Sequence, residues 1–249
     1  MKDNINVIGV IPARYASRRL PFKLLRRLYG KTLLQWAWDN ASLARSLDEL
    51  IIACDHPELE KQAKEFGANV VMTSEDHVSG TDRIAEAISD IDAKIVINIQ
   101  ADEPLINPSI IESLAQEMLS NSELAMATAR KQIEDDSEIN NPNVVKVVCD
   151  RADYAIYFSR FPIPYYRGSK ADRIYYKHLG IYAYTKDFLY TFKNLPRSDL
   201  EQAEKLEQLR ALQAGCKIKV IETQFDSWGV DTEEDLQAVE KILGEKGYA

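Results

Sequence analysis

The sequence lacks the features that are typical of secreted proteins, membrane proteins and small domains stabilised by a bound metal. Its 249 residues contain three cysteines, all far apart, and no Cys-x-x-Cys pair, which excludes a disulfide framework, a zinc ribbon and a dithiol redox centre. No run of 18 apolar residues occurs, and the N-terminus has no signal-peptide pattern. Ten glycines and nine prolines argue against a long flexible linker. We therefore expect a cytoplasmic protein with no membrane partner.

Acidic side chains are missing from one segment of the chain. No Asp or Glu occurs between Asp3 and Asp39, although the chain has a net charge of −8. That overall charge argues against a nucleic-acid partner, because such binding relies on neutralising phosphates with Lys and Arg. A basic segment in an acidic protein favours a small polyanion, although a solvated loop would look the same. The basic residues are Arg14, Arg18, Arg19, Lys23, Arg26, Arg27 and Lys31.

The first half of the chain alternates between short apolar runs and segments with helical spacing. This order predicts an α/β protein with a mostly parallel, Rossmann-like sheet flanked by helices. We expect a single domain over residues 1–249. The predicted strands are 5–11, 49–53, 69–72 and 94–99, and the predicted helices are 33–44, 57–66, 81–88 and 108–120.

The pattern changes after residue 143. Strands are predicted over 144–148, 155–158 and 178–184, with few helices between them and many tyrosines. We interpret about 150–190 as a small antiparallel excursion. Its aromatic residues either pack on the core or form a substrate lid or a dimer surface, where tyrosine is enriched. A helix over 199–214, a strand over 217–222 and a helix over 232–243 complete the prediction.

Common nucleotide-binding motifs are absent. Gly30-Lys31-Thr32 resembles the end of a P-loop, but Leu25 stands where that loop needs a glycine. The first strand is followed by Pro12-Ala13-Arg14 and not by Gly-x-Gly-x-x-Gly. A dinucleotide-dependent oxidoreductase, the alternative class of enzyme, is therefore disfavoured.

Charged side chains follow two of the predicted strands and one loop. Arg14, Arg19 and Lys23 come after the first strand, and Asp102 comes after the fourth. Carboxyl ends of parallel strands meet at one edge of a sheet, where ligands bind. Asp231 is a further carboxylate, although a helix N-cap is the alternative role for it. Asp102 and Asp231 match the one or two protein carboxylates that Mg²⁺ prefers beside phosphates.

Several motifs in the same order carry a family resemblance. The segment Ile11 to Pro21 resembles the opening loop of the sugar-acid cytidylyltransferases. The resemblance extends over most of the chain and implies a fold of the nucleotide-diphospho-sugar transferase type. The other motifs are Ser79–Arg83, Gln100–Pro104, Asn143–Val148, Tyr157–Arg160, Lys177–Tyr182, Leu206–Arg210 and Gly229–Thr232.

The resemblance also implies roles for individual residues. Arg14, Arg19, Lys23 and Asp102 would be catalytic, and Asp102 and Asp231 would hold Mg²⁺. The implied CTP-binding residues are Ala13, Arg14, Arg19, Lys23, Ser79, Gly80, Thr81 and Arg83. The implied sugar-binding residues are Gln100, Arg160, His178, Tyr182, Glu207 and Gln208. Without the resemblance, Ser79 would be a helix cap and His178 a structural histidine.

The implied reaction transfers CMP from CTP to an eight-carbon 2-keto sugar acid and releases pyrophosphate. The resemblance further implies a homodimer and a place in lipopolysaccharide biosynthesis. The family loop usually has glycine where this chain has Phe22, and a positive φ there would cost about 1–2 kcal/mol. An 8-amino analogue or another 2-keto sugar acid remains an alternative substrate. A nucleotide-sugar binding protein without catalysis is the second alternative.

Overall fold

A computed structural model describes residues 5–17, 19–168 and 173–248. Arg18, in the predicted basic segment, and residues 169–172, in the predicted antiparallel excursion, lie outside the described residues. The first half of the chain alternates strands and helices, as predicted. Its elements are β1 (Ile5–Ala13), β2 (Arg27–Leu28), β3 (Lys31–Thr32), α1 (Leu33–Ala41), β4 (Glu49–Cys54), α2 (Pro57–Glu65), β5 (Val70–Met72), α3 (Gly80–Ala87), β6 (Ala93–Asn98) and α4 (Pro108–Ser120).

The second half contains the predicted strands and three elements that the prediction lacks, β7, α5 and α6. Within the described ranges, no helix has both the length and the apolar character needed to cross a bilayer. The elements are β7 (Met126–Gln132), α5 (Asp136–Ile139), β8 (Lys146–Cys149), β9 (Ala155–Ser159), β10 (Tyr176–Thr185), α6 (Lys186–Asn194), α7 (Asp199–Glu204), α8 (Gln208–Gln213), β11 (Lys219–Glu222) and α9 (Glu233–Leu243).

The main sheet has the strand order β11-β7-β10-β6-β1-β4-β5. β1 is parallel to β4 and β6, and β11 is parallel to β7. β10 runs antiparallel to both of its neighbours, β6 and β7, and carries the β8–β9 arm at its edge. The α/β class with a mostly parallel sheet and a small antiparallel excursion is confirmed.

β1 is buried on both faces, as expected for a central parallel strand. Val7 and Ile11 belong to one apolar cluster, whereas Ile8 and Val10 belong to another. Because side chains alternate along a strand, the two clusters lie on opposite faces of the sheet. The continuous apolar run in the sequence reflects this two-sided burial.

The single helix predicted over 199–214 is wrong. Lys205 takes a left-handed backbone conformation with φ 55°, which ends α7 and separates it from α8. Glu204, Glu207 and Gln208 therefore do not share one exposed helical face, and Gln208 is only 4% exposed. The apolar spacing continues across the break, so spacing alone does not reveal it.

The carboxyl ends of β1 and β6 lie side by side. Val10 pairs with Asn98, and the backbone N–H of Ile99 donates to the carbonyl of Val10 at 2.9 Å. On the other side of β1, Ala13 pairs with Cys54 at the end of β4. The loops that leave these strands therefore start from the same edge of the sheet, as predicted.

Candidate active site

The segment after β1 forms one wall of a cavity of about 460 Å³, here called the first cavity. The chain leaves the sheet at the buried Ala13 and reaches a short 3-10 turn at Lys23–Leu25. The turn after β6 and the segment before α9 complete the walls. The predicted site residues in this lining are Arg14, Arg19, Lys23, Gln100, Asp102 and Asp231.

Asp55, just after β4, holds the loop that follows β1. Its carboxylate accepts a hydrogen bond from the backbone N–H of Tyr15 at 2.8 Å and an ion pair from Arg83 at 2.9 Å. The Tyr15 ring stacks on His56, with ring centroids 3.7 Å apart. Arg83 is only 2% exposed and also donates to Thr73. Arg83 therefore lies behind the loop and lines neither of the two cavities described here.

Phe22, which replaces the usual glycine of the family, has a left-handed backbone with φ 52° and ψ 34°. The residue is 53% exposed, and the centroid of its ring lies 5.1 Å from that of Tyr15. It is not part of the cavity wall. The departure from glycine therefore strains the loop without filling the first cavity.

Lys23 joins the two predicted metal ligands. Its ammonium lies 2.6 Å from Asp102 Oδ2 and 3.0 Å from Asp231 Oδ1, and Arg19 contacts the other oxygen of Asp231 at 2.7 Å. The backbone N–H of Val230 donates to the carbonyl of Asp102 at 2.9 Å, which brings the C-terminal segment to the end of β6. The structure thus brings these four predicted charged residues together.

The electrostatics of Lys23 reflect this cluster. Burial lowers the pKa of Lys23, but the charges of Asp102 and Asp231 outweigh that effect and leave it above its ordinary value. Lys23 is therefore protonated and positively charged at neutral pH. Its ammonium lies on the same carboxylate oxygens that a metal ion would use.

The donor set fits a magnesium ion only if phosphates share it. Within the described residues, no group of three or more His, Cys, Asp or Glu side chains is arranged to hold a metal. Asp102 and Asp231 offer two carboxylates beside a basic loop. Mg²⁺ binds through one or two carboxylates plus phosphate oxygens and water, so this pair suits a nucleotide-bound ion.

A second cavity, of about 730 Å³, adjoins the first. Arg19, Gln100, Asp102 and Asp231 line both cavities, so the charged cluster lies at their junction. Gln100 donates to the carbonyl of Gly180 at 3.0 Å, which ties the turn after β6 to β10. The other predicted sugar-site residues in this lining are Arg160, His178, Tyr182 and Gln208.

Arg160 is fixed in the second cavity by backbone carbonyls. Its guanidinium donates to the carbonyl oxygens of Glu204 at 2.6 Å, Pro142 at 2.8 Å and Lys205 at 3.4 Å. These contacts orient the side chain without neutralising it. Among the residues that the structure describes, Arg160 has no ion-pair partner. A guanidinium held in this way is suited to a carboxylate ligand.

His178 and Tyr182 stand next to each other on β10. The His178 Nε2 lies 2.9 Å from the Thr128 hydroxyl, and its ring packs edge-on against Phe158. Burial lowers the pKa of His178 to about 3 and raises the pKa of Tyr182 well above its ordinary value. Both side chains are therefore neutral at pH 7 and offer hydrogen bonds rather than charge.

The start of α3 lies at the same sheet edge. Ser79 caps the helix and shares a capping box with Asp82, so the structural role that its sequence suggests is present. A Cβ on Gly80 would lie 3.4 Å from Pro12 Cγ, which shows how closely the helix start packs on β1. The Thr81 hydroxyl donates to Glu207 at 2.8 Å. None of Ser79, Gly80, Thr81 and Glu207 lines either cavity.

Glu103 is a second-cavity residue to which the sequence assigns no firm role. It is buried and accepts a hydrogen bond from the Ser227 hydroxyl. Burial raises the pKa of Glu103 to about 7, and the Asp102 charge adds to the effect. Its position directly after Asp102, at the end of a predicted strand, could have identified Glu103 as a site residue.

Comparison with known proteins identifies the class to which this fold and site belong. The family model described as cytidylyltransferase matches residues 8–218. The chain belongs to the cytidylyltransferase family and is a nucleotidyltransferase.

Its relatives narrow the class. The chain is 50% identical over 237 residues to the 3-deoxy-manno-octulosonate cytidylyltransferase of Solibacter usitatus, covering 95% of this chain and 94% of the relative. It is 47% identical over 243 residues to the 8-amino-3,8-dideoxy-manno-octulosonate cytidylyltransferase of Shewanella pealeana, covering 96% and 99%. A solved CMP:2-keto-3-deoxy-manno-octonic acid synthetase complexed with CTP superposes with a TM-score of 0.92 at 41% identity, covering 97% and 99%.

Proposed function

We propose that this chain transfers CMP from CTP to the anomeric hydroxyl of 3-deoxy-D-manno-octulosonate, giving CMP-3-deoxy-D-manno-octulosonate and pyrophosphate. The observation that carries the proposal is the Lys23–Asp102–Asp231 cluster at the junction of two cavities. A reaction between two bound substrates requires neighbouring sites whose common wall holds the catalytic charges. The names of the relatives support the choice of substrates.

The first cavity is proposed to bind CTP. Arg14, Arg19 and Lys23 would hold the phosphates and neutralise the charge that develops on the leaving pyrophosphate. The family resemblance assigns the cytidine to the Ala13 backbone and to Ser79, Gly80 and Thr81, which lie at the same sheet edge but outside the lining of the first cavity. Because Arg83 is buried on Asp55, we assign it the task of holding the Tyr15 loop in place.

Asp102 and Asp231 are proposed to hold Mg²⁺ together with the CTP phosphates. The bound ion would supply Lewis-acid polarisation of the phosphates. Lys23 occupies the same oxygens of both carboxylates. Lys23 would therefore leave them for the phosphates when CTP and the ion bind together.

The second cavity is proposed to bind the sugar acid. Arg160 would pair with the carboxylate, since backbone carbonyl groups orient its guanidinium. Gln100, His178, Tyr182 and Gln208 would bind the hydroxyl groups. Glu207 would act through Thr81, to which it is hydrogen-bonded.

The 8-amino analogue of the sugar is the second candidate substrate. The relative that is named for this sugar is about as similar to the chain as the relative named for the 8-hydroxy sugar. The two substrates share the carboxylate and the anomeric hydroxyl, so the proposed chemistry is the same for both. They differ only at the far end of the sugar.

The cellular setting follows from the proposed product. We propose that the enzyme acts in the cytoplasm, where CTP is made, and supplies an activated sugar for lipopolysaccharide biosynthesis. We also propose a homodimer through the antiparallel segment, where Phe161 and Tyr165 are 76% and 85% exposed. Large exposed aromatic side chains in one segment are typical of protein interfaces.

The test is a substrate panel scored by pyrophosphate release. CTP, Mg²⁺ and either sugar acid should give pyrophosphate and a CMP-sugar of the matching mass. Asp102→Ala and Asp231→Ala should each lower turnover on the order of a hundredfold or more, because the phosphates lose their electrostatic stabilisation. Asp90→Ala, at an exposed position after α3, is the control and should retain full turnover.

Two outcomes would contradict the proposal. CTP binding without pyrophosphate release on any sugar acid would favour a nucleotide-sugar binding protein. Near-normal turnover in either aspartate variant would remove that residue from the metal site.

A further inference from the structure

Lys146 is a buried cation that the proposed reaction does not use. Its side chain is 0% exposed, and its ammonium donates to the carbonyl oxygens of Asn141 at 2.9 Å and Val144 at 2.5 Å. Across the described ranges, no carboxylate comes within ion-pair distance of it. Lysine is rarely buried without a partner, because desolvating its charge is costly. Its position therefore needs a physical reason.

The loop that Lys146 holds is a wall of the second cavity. Asn141, Asn143 and Val144 all line that cavity. Arg160 binds the same loop at the carbonyl of Pro142. Two cations thus hold successive carbonyl groups of one short loop, Lys146 from the core and Arg160 from the cavity wall.

Lys146 and Arg160 also differ from the other cations of this cavity, whose charges are neutralised by ion pairs. Arg19 and Lys177, which line the same cavity, form ion pairs with Asp231 and Glu138. Glu204 is a carboxylate that acts on Lys146. It accepts hydrogen bonds from the Ser159 hydroxyl and the Arg160 backbone N–H, and its single negative charge offsets only one of the two cations.

The two cations are close enough to interact. Burial lowers the pKa of Lys146, the charge of Arg160 lowers it further, and Glu204 opposes these effects. This wall therefore carries excess positive charge in a poorly solvated place, where a charge acts more strongly than at the surface. A carboxylate beside Arg160 would relieve the repulsion between the two cations.

We infer that Lys146 is a positioning residue for the sugar acid: it holds the 141–144 loop against the second cavity, and its buried charge behind Arg160 favours the carboxylate of the ligand. The inference rests on the proposed function, since it needs an acidic ligand in this cavity. It assigns Lys146 no contact with the substrate and no part in the chemistry.

Two variants separate the charge from the hydrogen bonds. Lys146→Gln keeps a donor for the loop carbonyls but is neutral. Lys146→Met is close in size and apolar, and replacing a buried charge by an apolar side chain is often tolerated by the fold. Val147→Ala is the matched control, because it perturbs the same buried strand without changing any charge.

The measurement is steady-state kinetics of the full chain with CTP and 3-deoxy-manno-octulosonate, with thermal unfolding recorded for each variant. We expect the KM for the sugar acid to rise about tenfold in both Lys146 variants, from the loss of one nearby buried charge. The KM for CTP should change less than about twofold, because the first cavity is untouched. Val147→Ala should leave both KM values near those of the unsubstituted chain.

Other results would overturn the inference. Equal changes in both KM values, or the same kinetic change in Val147→Ala, would show a purely structural role. Failure of both Lys146 variants to fold would assign the residue to the core and not to the ligand. Absence of turnover in the unsubstituted chain would instead remove the proposed function, which separates the two failures.

Discussion

Single residues of the candidate site meet partners that are remote in the sequence. Lys23 contacts Asp102 and Asp231 across 79 and 208 positions. The strand ends predicted that Lys23 and Asp102 would lie near one another, whereas Asp231 was grouped with them through the ligand preference of Mg²⁺ and the family resemblance. The sequence did not indicate that Lys23 would bridge the two carboxylates, because that contact depends on how far the side chains reach across the cavity.

The backbone of Phe22 gives the first residue-scale prediction. Phe22→Gly and Phe22→Ala both lose the contact with Tyr15, but only alanine keeps a Cβ at positive φ. The glycine variant should therefore be more stable than the alanine variant by about 1 kcal/mol. Urea unfolding of the two variants checks this, and equal stabilities would contradict the strain.

The neutral ring of His178 gives a prediction for pH. Its pKa is about 3 in the folded chain, against about 6.5 when unfolded. The unfolded state therefore binds the extra proton between these values, and stability falls as the pH drops below about 6.5. Relative to His178→Gln, the unsubstituted chain should lose about 2 kcal/mol more between pH 7.5 and pH 5.

Urea unfolding at the two pH values measures this difference. Glu103, whose raised pKa acts in the opposite direction, is present in both proteins and cancels from the comparison. Equal pH dependence of the two proteins would show that His178 is charged in the folded state.

At the scale of elements, the break between α7 and α8 forms part of the second cavity. The end of α7 leaves the carbonyl groups of Glu204 and Lys205 without helical partners, and Arg160 donates to both. A continuous helix over 199–214 would use these carbonyls internally. Because a continuous helix was predicted, the carbonyl groups that orient Arg160 could not be foreseen from the sequence.

Lys205→Gly tests the break. The left-handed conformation of Lys205 is costly for any residue with a Cβ, so glycine should raise stability by about 1 kcal/mol. Lys193→Gly, within α6, should lower stability by about the same amount. Thermal unfolding of both variants measures the two signs, and a loss of stability in Lys205→Gly would contradict the observed backbone.

β7 shows a different limit of sequence analysis. Its sequence, Met-Ala-Thr-Ala-Arg-Lys-Gln, has no long apolar run, and Thr128 is the one β-branched residue in it. It is a strand because it lies between β10 and β11 in the sheet, where even Lys131 is buried. Pairing with neighbours outweighed its weak local preference.

At the scale of the whole molecule, the proposed homodimer is open to direct test. Phe161→Asp places a charge on the exposed antiparallel segment and should shift the chain from dimer to monomer, since an interface does not tolerate an unpaired charge. Sedimentation equilibrium measures the mass. Leu43→Asp, at an exposed apolar position next to α1, is the control and should leave the mass unchanged. A monomeric unsubstituted chain would contradict the proposal.

The amino-acid sequence alone was enough for the α/β class, for most strands and helices, and for the charges at the sheet edge, because apolar periodicity and strand ends are local properties. It was not enough for the left-handed turn at Lys205, the burial of Arg83 on Asp55 or the carbonyl partners of Lys146. Each of these depends on packing between segments that are distant along the chain. The free energy that stabilises these arrangements depends on desolvation and on long-range contacts, and both arise only when the sheet assembles.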